Sequence, residues 1–418
     1  MIYVPFIYFL VLFLHFLRKK KCLDTGGMIV LIYLLGSLFS IFYYYTGYGI
    51  AKEFDSHSQF IPTLVYLSLL TISILPFYSF NSEKITLSDD LNVQRFKIVA
   101  YAFLIFNIIS ITTNFDALVA SAGEEFADTR SEAYKYLLNR NATRLSMSLW
   151  DYLVSFSSSF APLLLLFYFY ASIKNIGGSV LRILMLVFSL INVVLGMLTA
   201  SRTPIIYWII TFAVLYITFR HLIAKELKRK LIVVLIVLSI PVAIYFVAVT
   251  VSRFGEGTDA ESSLVSYAGQ TYPVFCELCH KYTFDGVTFD RLFPITTKYV
   301  FGNDFNMSIY RENVESRIGM PTGVFYTFLG DAIVDFGFLG VFIYTLFYVL
   351  LLRNGLRRRS NVVSLSYLII MLLLVRQVSL GYFAYVYKSI NTSVLIIGAL
   401  IIAGFLKPKP KVNKQLDK

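Results

Sequence analysis

The sequence predicts an all-α membrane protein, a polytopic bundle of about eleven transmembrane helices (range ten to twelve) in one domain over residues 1–418. Hydrophobic residues make up 57% of the chain, charged residues only 15%, and mean hydropathy is +0.70. Soluble proteins carry about 25% charged residues, and disordered chains are poor in apolar ones. Because backbone inside a bilayer must satisfy its hydrogen bonds internally, the long apolar runs are predicted to be helices.

The spans follow from the thickness of the bilayer. A hydrocarbon core of about 30 Å requires about 20 apolar residues per helix. The predicted spans are residues 2–17, 28–45, 60–80, 98–113, 149–171, 183–200, 204–219, 231–250, 335–352, 362–382 and 386–406. Arg376 and Lys388 fall close to the outer ends of the last two spans.

The distribution of charge predicts the orientation. The basic run Arg18 to Lys21 follows the first span, whereas a cleavable signal peptide carries such residues before its apolar run. Cationic residues concentrate on the cytoplasmic side of membrane proteins, so the N-terminus is predicted outside and the C-terminus inside. The predicted cytoplasmic segments hold 23 of the 37 Lys and Arg residues and are 18–27, 81–97, 172–182, 220–230, 353–361 and the basic tail 407–418. The net charge of +12 therefore reflects topology and contact with membrane lipids, and no nucleic-acid partner is predicted.

Two long extracytoplasmic loops are predicted, over residues 114–148 and 251–334, whereas the cytoplasmic connections are short. Many transporters have short connectors and a binding site at the membrane midplane. In this sequence, the polar residues that could carry chemistry lie outside the predicted spans. This pattern indicates a function at the outer face.

Arg202 is the leading candidate for a functional residue. It stands in the turn between the sixth and seventh predicted spans, and Pro204 suits the first position of the following helix. A helix N-terminus attracts anions, and arginine adds bidentate, charge-assisted hydrogen bonds to phosphate. Alternatively, Arg202 has no functional role, and its long side chain only places the charged group at the outer membrane interface. Arg253, at the outer end of the eighth span, either binds substrate or caps the last carbonyls of its helix.

Further candidates lie in the two loops. Arg311 and Arg317 flank a stretch of alternating charge whose helical spacing also fits a solvated helix face. Asp331 and Asp335 are four residues apart, hence on one helical face, and acids near a membrane boundary are usually functional or paired. In the shorter loop, Arg140 or a neighbouring arginine could complete an anion site.

The sequence from Cys276 to His280 reads C-x-x-C-H, the attachment pattern of c-type haem. No second motif supports electron transfer, so a structural or incidental cysteine pair is the favoured interpretation. A disulfide between the two cysteines remains an alternative. Zinc lacks a convincing fourth ligand. The chain contains no phosphate-binding P-loop, no H-E-x-x-H motif and no G-x-S-x-G motif. No metal or other cofactor is predicted.

Taken together, the Thr-Ala-Ser-Arg-Thr turn at residues 199–203, the large outer loop after the eighth span, and the exit Pro321-Thr322-Gly323 followed by Asp-Phe-Gly-Phe-Leu-Gly at residues 335–340 resemble bacterial O-antigen polymerases. These are the Wzy-type polymerases of oligosaccharide repeat units. The resemblance covers the architecture of nearly the whole chain, although its motifs are short.

The resemblance implies a membrane-embedded C-type glycosyltransferase, inverting and metal-independent. It would transfer a growing glycan from undecaprenyl diphosphate to the sugar of an incoming lipid-linked repeat unit at the outer membrane face. By position, Arg202 and Arg253 best fit contact with the diphosphate, followed by Arg311, Arg317 and Arg140. Asp331, Asp335 and Glu277 are the candidate acceptor bases. A chain-length regulator and a flippase are the implied protein partners.

Two other activities remain as alternatives. A polysaccharide flippase or transporter would carry charges along its spans. O-antigen ligases carry a loop histidine before a Gly-x-x-Gly exit, and this chain has no histidine near Pro321-Thr322-Gly323.

Overall fold

The computed structural model describes residues 1–47, 49–52, 54–55, 58–116, 118–119, 156–198, 201–254, 265–284, 286–299, 312, 314–316, 318–320, 324–356 and 361–407. This part of the chain is almost entirely helical, as the sequence predicts. Its helices are α1 Val4–Lys20, α2 Thr25–Thr46, α3 Phe60–Ser79, α4 Val93–Thr113, α5 Ala161–Lys174, α6 Gly178–Phe188, α7 Ile191–Met197, α8 Thr203–Phe219, α9 Lys225–Phe254, α10 Thr271–Lys281, α11 Pro294–Tyr299, α12 Thr327–Leu356, α13 Leu365–Leu380 and α14 Ile390–Phe405. Short 3-10 turns lie at Gly49–Lys52, Ser82–Lys84 and Ser158–Phe160.

Within the described residues, five helical segments are long and apolar enough to cross a membrane, and they are Thr25–Thr46, Phe60–Lys84, Val93–Thr113, Gly178–Met197 and Thr327–Leu356. Four shorter apolar segments accompany them: Ser158–Lys174, Thr203–Phe219, Leu365–Leu380 and Ile390–Phe405. Every predicted span overlaps at least one helix of the structure. The chain is therefore a helical membrane protein.

Several boundaries differ from those predicted. The predicted span 183–200 is divided between α6 and α7, because the helix breaks at Ser189 and Leu190. The predicted span 335–352 starts too late, since α12 begins at Thr327. An apolar run of sufficient length marks where a chain can cross lipid, but it does not mark the residue at which the helix itself begins.

A kink at Gly337 divides α12 into two parts. Gly337 has φ of 70° and ψ of −175°, a conformation that favours glycine. A Cβ atom at this position would lie 2.8 Å from the ring of Phe284. The segment before the kink is buried and carries Asp331 and Asp335, whereas the segment after it exposes many apolar side chains. The glycine therefore separates the polar part of α12 from its apolar part.

Described parts of several predicted cytoplasmic segments contact one another at one end of the bundle, which we call the basic end. Strands β1 (Thr86–Leu87) and β2 (Val362–Val363) pair there in parallel. The Lys174 ammonium donates to Asp89 at 2.5 Å, and the Arg220 guanidinium donates to Glu83 at 2.6 Å. These contacts join segments that are distant in sequence but share a predicted side of the membrane.

The opposite end, which we call the aromatic end, contains an irregular segment that is buried throughout. This segment, Gly381–Tyr387, connects α13 to the residues before α14. Its carbonyl groups at Gly381 and Phe383 accept hydrogen bonds from the backbone N–H groups of Phe328 (2.9 Å) and Thr327 (3.2 Å). Non-helical backbone is tolerated at depth only where the protein supplies such partners. The start of α12 therefore stabilises this segment inside the bundle.

Candidate functional site

Arg202 lies at the N-terminus of α8, as predicted, but it is buried. Only 3% of its surface is exposed, and its guanidinium lies 4.7 Å from the centre of the Tyr267 ring. The Tyr267 hydroxyl and the Thr203 hydroxyl are hydrogen-bonded at 2.6 Å. Pro204 occupies the first turn of the helix, where its missing N–H has no consequence. The ring contact restricts the guanidinium, and an arginine can bind an anion bidentately.

Four aromatic residues continue the site from Tyr267 into the bundle, and we call them the aromatic cluster: Tyr207, Tyr267, Phe325 and Phe383. The Phe383 ring lies 5.5 Å from Phe325, 6.2 Å from Tyr267 and 6.3 Å from Tyr207. Because Phe383 belongs to the buried segment Gly381–Tyr387, the cluster joins that segment to α8. Such clusters exclude water and strengthen nearby electrostatic interactions.

A second buried cation, Arg291, pairs with Asp331 through a short contact between its Nη1 and the carboxylate. The other oxygen of Asp331 accepts a 2.7 Å hydrogen bond from the backbone N–H of Tyr385. The Arg291 guanidinium also lies 5.0 Å from the centre of the Tyr326 ring. Asp331 therefore holds the segment that carries Arg291, residues 288–292, and the buried segment Gly381–Tyr387 in one network.

The carboxylate of Asp335, one helical turn later, accepts hydrogen bonds from residues 288–292 alone among the described residues. Its oxygens accept hydrogen bonds from the backbone N–H groups of Leu292 (2.8 Å) and Arg291 (3.0 Å) and from the Thr288 hydroxyl (3.0 Å). Its carboxylate thus anchors residues 288–292 on α12. These bonds favour a positioning role for Asp335. The assignment of the acceptor base to Asp331 or Asp335 stays a prediction.

Glu277, the third candidate base, lies on α10 and is buried, with its carboxylate 3.7 Å from the Lys281 ammonium. His280 lies on the same helix, and its Nε2 is 3.0 Å from the side-chain oxygen of Gln59. Helix α10 packs against α2, α3 and α12. The structure therefore places Glu277 on the helix that adjoins the helix of Asp331.

The two cysteines of the C-x-x-C-H sequence are free thiols on α10. Burial raises the pKa of the Cys279 thiol to about 12 and also raises that of Cys276. Both sulfurs are therefore protonated at neutral pH. Among the described residues, no group of three or more His, Cys, Asp or Glu side chains could hold a metal ion. The complete burial of Cys276 fits a packing role.

Several predicted site residues lie beyond the described part of the chain. Arg140, Arg311 and Arg317 are outside the described residues, and so is most of the loop 114–148. Arg253 lies in the last turn of α9, but its side chain is outside the described part. For these four arginines, contact with a diphosphate stays a prediction.

Arg291, Arg376 and the buried segment Gly381–Tyr387 were not predicted as parts of the site. Arg376 lies on α13, 7% exposed, and the neighbouring groups that interact with it electrostatically are Tyr207 and Tyr387. A signal for Arg376 was present, since an arginine inside an apolar run usually has a function. No signal identified Arg291, because it stands in a polar loop among other charges.

No family model matches this chain, and no curated protein or solved structure matches it significantly. The geometry must therefore support a function by itself. It shows three buried arginines at one end of a membrane bundle, two carboxylates on one helical face, and a shared aromatic cluster. Buried arginines can bind an anionic group bidentately, and a buried carboxylate can accept a proton.

Proposed function

We propose that this chain polymerises lipid-linked oligosaccharide repeat units at the outer face of a bacterial cytoplasmic (inner) membrane. In this proposal eleven spans cross the membrane, with the N-terminus outside and the C-terminus in the cytoplasm. The substrates are undecaprenyl-diphosphate-linked oligosaccharides, the product is O-antigen, capsule or exopolysaccharide, and a chain-length regulator and a flippase are the protein partners. The observation that carries the proposal is the buried Arg202 at the start of α8, held against Tyr267 at the end opposite the basic one.

The chemistry of this reaction suits such a residue. The acceptor hydroxyl oxygen attacks the anomeric carbon of the donor glycan, the bond from that carbon to the diphosphate breaks, and the hydroxyl proton passes to a base. Negative charge grows on the leaving diphosphate. Preorganised cations lower the free energy of that transition state, because they need no reorganisation during the reaction. Arg202 fits this role, and Asp331, Asp335 or Glu277 is the base.

The test is polymerisation by purified protein in proteoliposomes supplied with lipid-linked repeat units. We expect Arg202→Ala to lower the rate at least about 100-fold, the typical effect of removing one preorganised donor from an oxyanion site. Arg202→Lys should also lose most activity if the two-pronged contact matters. The matched control is Arg95→Ala, because Arg95 also lies against an aromatic ring, that of Phe405, but at the basic end.

An Arg202→Ala protein that builds long polymer would remove the central claim. Equal loss in Arg95→Ala would show that the assay reports folding and not the site. The proposed topology is checked separately by reporter fusions at residues 130 and 225, which we expect to report opposite sides of the membrane. Fusions that report one side would contradict the eleven-span arrangement.

Transport of a lipid-linked glycan without covalent chemistry is the second candidate. It is favoured by charges inside the bundle, namely Arg376 on α13 and the Arg291–Asp331 pair. A fluorescent lipid-linked repeat unit distinguishes the two functions. A transporter would move the labelled lipid between leaflets and leave its length unchanged, whereas a polymerase would lengthen it.

A further inference from the structure

Three arginines are buried at the aromatic end, and Arg376 differs from the other two. Arg291 has a carboxylate partner in Asp331, and Arg202 lies at a helix N-terminus on the Tyr267 ring. Arg376 lies in the last two turns of α13, whose neighbouring side chains are buried and mostly apolar. The positive charge of Arg376 therefore lies in the protein interior, among mostly apolar side chains.

No carboxylate lies within ion-pair distance of Arg376 in the part of the chain that the structure describes. Its Nε and Nη1 atoms are buried and have no hydrogen-bond partner among those residues. The guanidinium donates a hydrogen bond to the Tyr387 hydroxyl, which itself donates to the carbonyl of Leu373 at 2.7 Å, and Tyr207 is a further electrostatic neighbour. Neutral hydroxyls do not compensate a full positive charge.

Such a residue is costly for stability. Removing a charge from water is unfavourable, and the cost is recovered only when a partner of opposite charge is present. An apolar side chain of similar length would pack in the same place without this cost. An arginine at this position therefore indicates a function that involves a ligand outside the chain. A bound anion would supply both the charge and the missing hydrogen-bond acceptors.

The position of Arg376 points to the same site as Arg202. Tyr207 interacts electrostatically with both Arg376 and Tyr267, and Tyr267 is the ring against which Arg202 lies. The Phe383 ring is a neighbour of both tyrosine rings, 6.3 Å from that of Tyr207 and 6.2 Å from that of Tyr267. Arg202 and Arg376 therefore approach the aromatic cluster from two different helices, α8 and α13.

We infer that Arg376 is a second anion-binding residue of this site and that it contacts a phosphate group of a polyprenyl diphosphate. The identity of this ligand rests on the proposed function, whereas the requirement for an anion rests on a buried guanidinium that has no carboxylate partner among the described residues and whose Nε and Nη1 lack acceptors there. Two arginines from separate helices could bind one diphosphate together, each contacting one of its phosphate groups. An isolated monophosphate would engage only one of them.

The experiment measures binding to the purified full-length protein in detergent, without turnover. The probes are undecaprenyl diphosphate, undecaprenyl monophosphate and inorganic pyrophosphate, and the readouts are the dissociation constant and the thermal unfolding midpoint. The variants are Arg376→Met, which keeps the length of the side chain, and Arg376→Lys, which keeps the charge. Arg95→Met is the matched control at the basic end.

We expect Arg376→Met to weaken binding of the lipid diphosphate at least about ten-fold, the size of one charge-assisted contact. We also expect the ligand-free Arg376→Met protein to unfold at the same temperature as the wild type or higher, because an unpaired buried charge is removed. Arg376→Lys should bind with intermediate affinity, and Arg95→Met like the wild type. Inorganic pyrophosphate that binds as tightly as the lipid diphosphate, and depends equally on Arg376, would support the anion site but contradict a lipid as its source.

An Arg376→Met protein that binds the lipid diphosphate with the affinity of the wild type would overturn the inference. If that variant also unfolds at a lower temperature without ligand, the arginine is structural. The proposed polymerase activity fails in a different way. If the protein binds the lipid diphosphate through Arg376 but never lengthens a glycan, the inference about Arg376 stands and the proposed polymerase activity is wrong.

Discussion

At the basic end, the guanidinium of Arg95 lies 5.1 Å from the centre of the Phe405 ring; at the aromatic end, that of Arg202 lies 4.7 Å from the Tyr267 ring. The two contacts are nearly alike in distance. Their surroundings differ, because Arg95 is only half-buried and also donates to the carbonyl of Phe405, whereas Arg202 is buried. The same pair of groups can thus be a surface contact or part of a site.

The ion pairs of the two ends differ in the same way. Glu83 and Arg220 at the basic end are both partly exposed, while Asp331 and Arg291 at the aromatic end are almost fully buried. Exposed pairs are screened by water and salt, and buried ones are not. The comparison teaches that the exposure of a charged group to water, and not its residue type, determines how strongly it interacts with its partner in this protein.

Breaking the buried pair should have the largest effect on stability. We expect Arg291→Ala to lower the free energy of unfolding by about 3–5 kcal/mol, because the Asp331 carboxylate is left buried without its partner. The matched change at the basic end, Arg220→Ala, should cost about 0–1 kcal/mol. Denaturant or thermal unfolding in detergent measures both. Equal effects of the two changes would contradict the distinction between the ends.

Packing at the aromatic end should be the next most sensitive feature. A Cβ atom at Gly36 on α2 would lie 2.2 Å from the ring of Tyr382, so Gly36→Ala must displace that ring. We expect a loss of about 1–3 kcal/mol, typical of overpacking. A Cβ atom at Gly404 on α14 would have no neighbouring atom within 4 Å, so Gly404→Ala should be neutral or slightly stabilising. Thermal unfolding of the two single variants gives the comparison, and a Gly36→Ala protein as stable as Gly404→Ala would refute the close contact.

The smallest expected effect is the pH dependence of the Glu83–Arg220 pair, which lies beyond the end of α3. The hydrogen bond from Arg220 lowers the pKa of Glu83 below its ordinary value. Because the pKa is lowered in the folded state, the pair stabilises the protein above the unfolded pKa of about 4.3, and this contribution is lost as the pH falls through the folded value. Wild type and Glu83→Gln should therefore differ by at most about 1 kcal/mol at pH 7 and converge in acid. Unfolding midpoints between pH 7 and pH 3 provide the check, and a difference that grows in acid would reverse the assigned sign.

Much of the fold followed from simple properties of the chain. The apolar runs predicted helices at every described span. The contacts of Lys174 with Asp89 and of Arg220 with Glu83 join segments for which the basic residues predict one side of the membrane, and that sidedness stays a prediction. The turn before α8 could be predicted too, because Pro204 marks a helix start. The candidate site was predicted only in part, since Arg202, Asp331, Asp335 and Glu277 were identified while Arg291 and Arg376 were not.

The sequence by itself determined the class of this protein, the uneven distribution of basic residues along the chain and the helix start at Arg202, because these depend on composition and on neighbours along the chain. Only the tertiary structure decided which charges are paired. Asp331 meets Arg291 and Tyr385 across 40 and 54 residues of sequence, and Arg376 meets no carboxylate within the described chain. Pairing depends on burial and on distances between helices, and neither is encoded in local spacing. For that reason, only the arrangement of α8, α12 and α13 identifies Arg376 as a candidate beside Arg202.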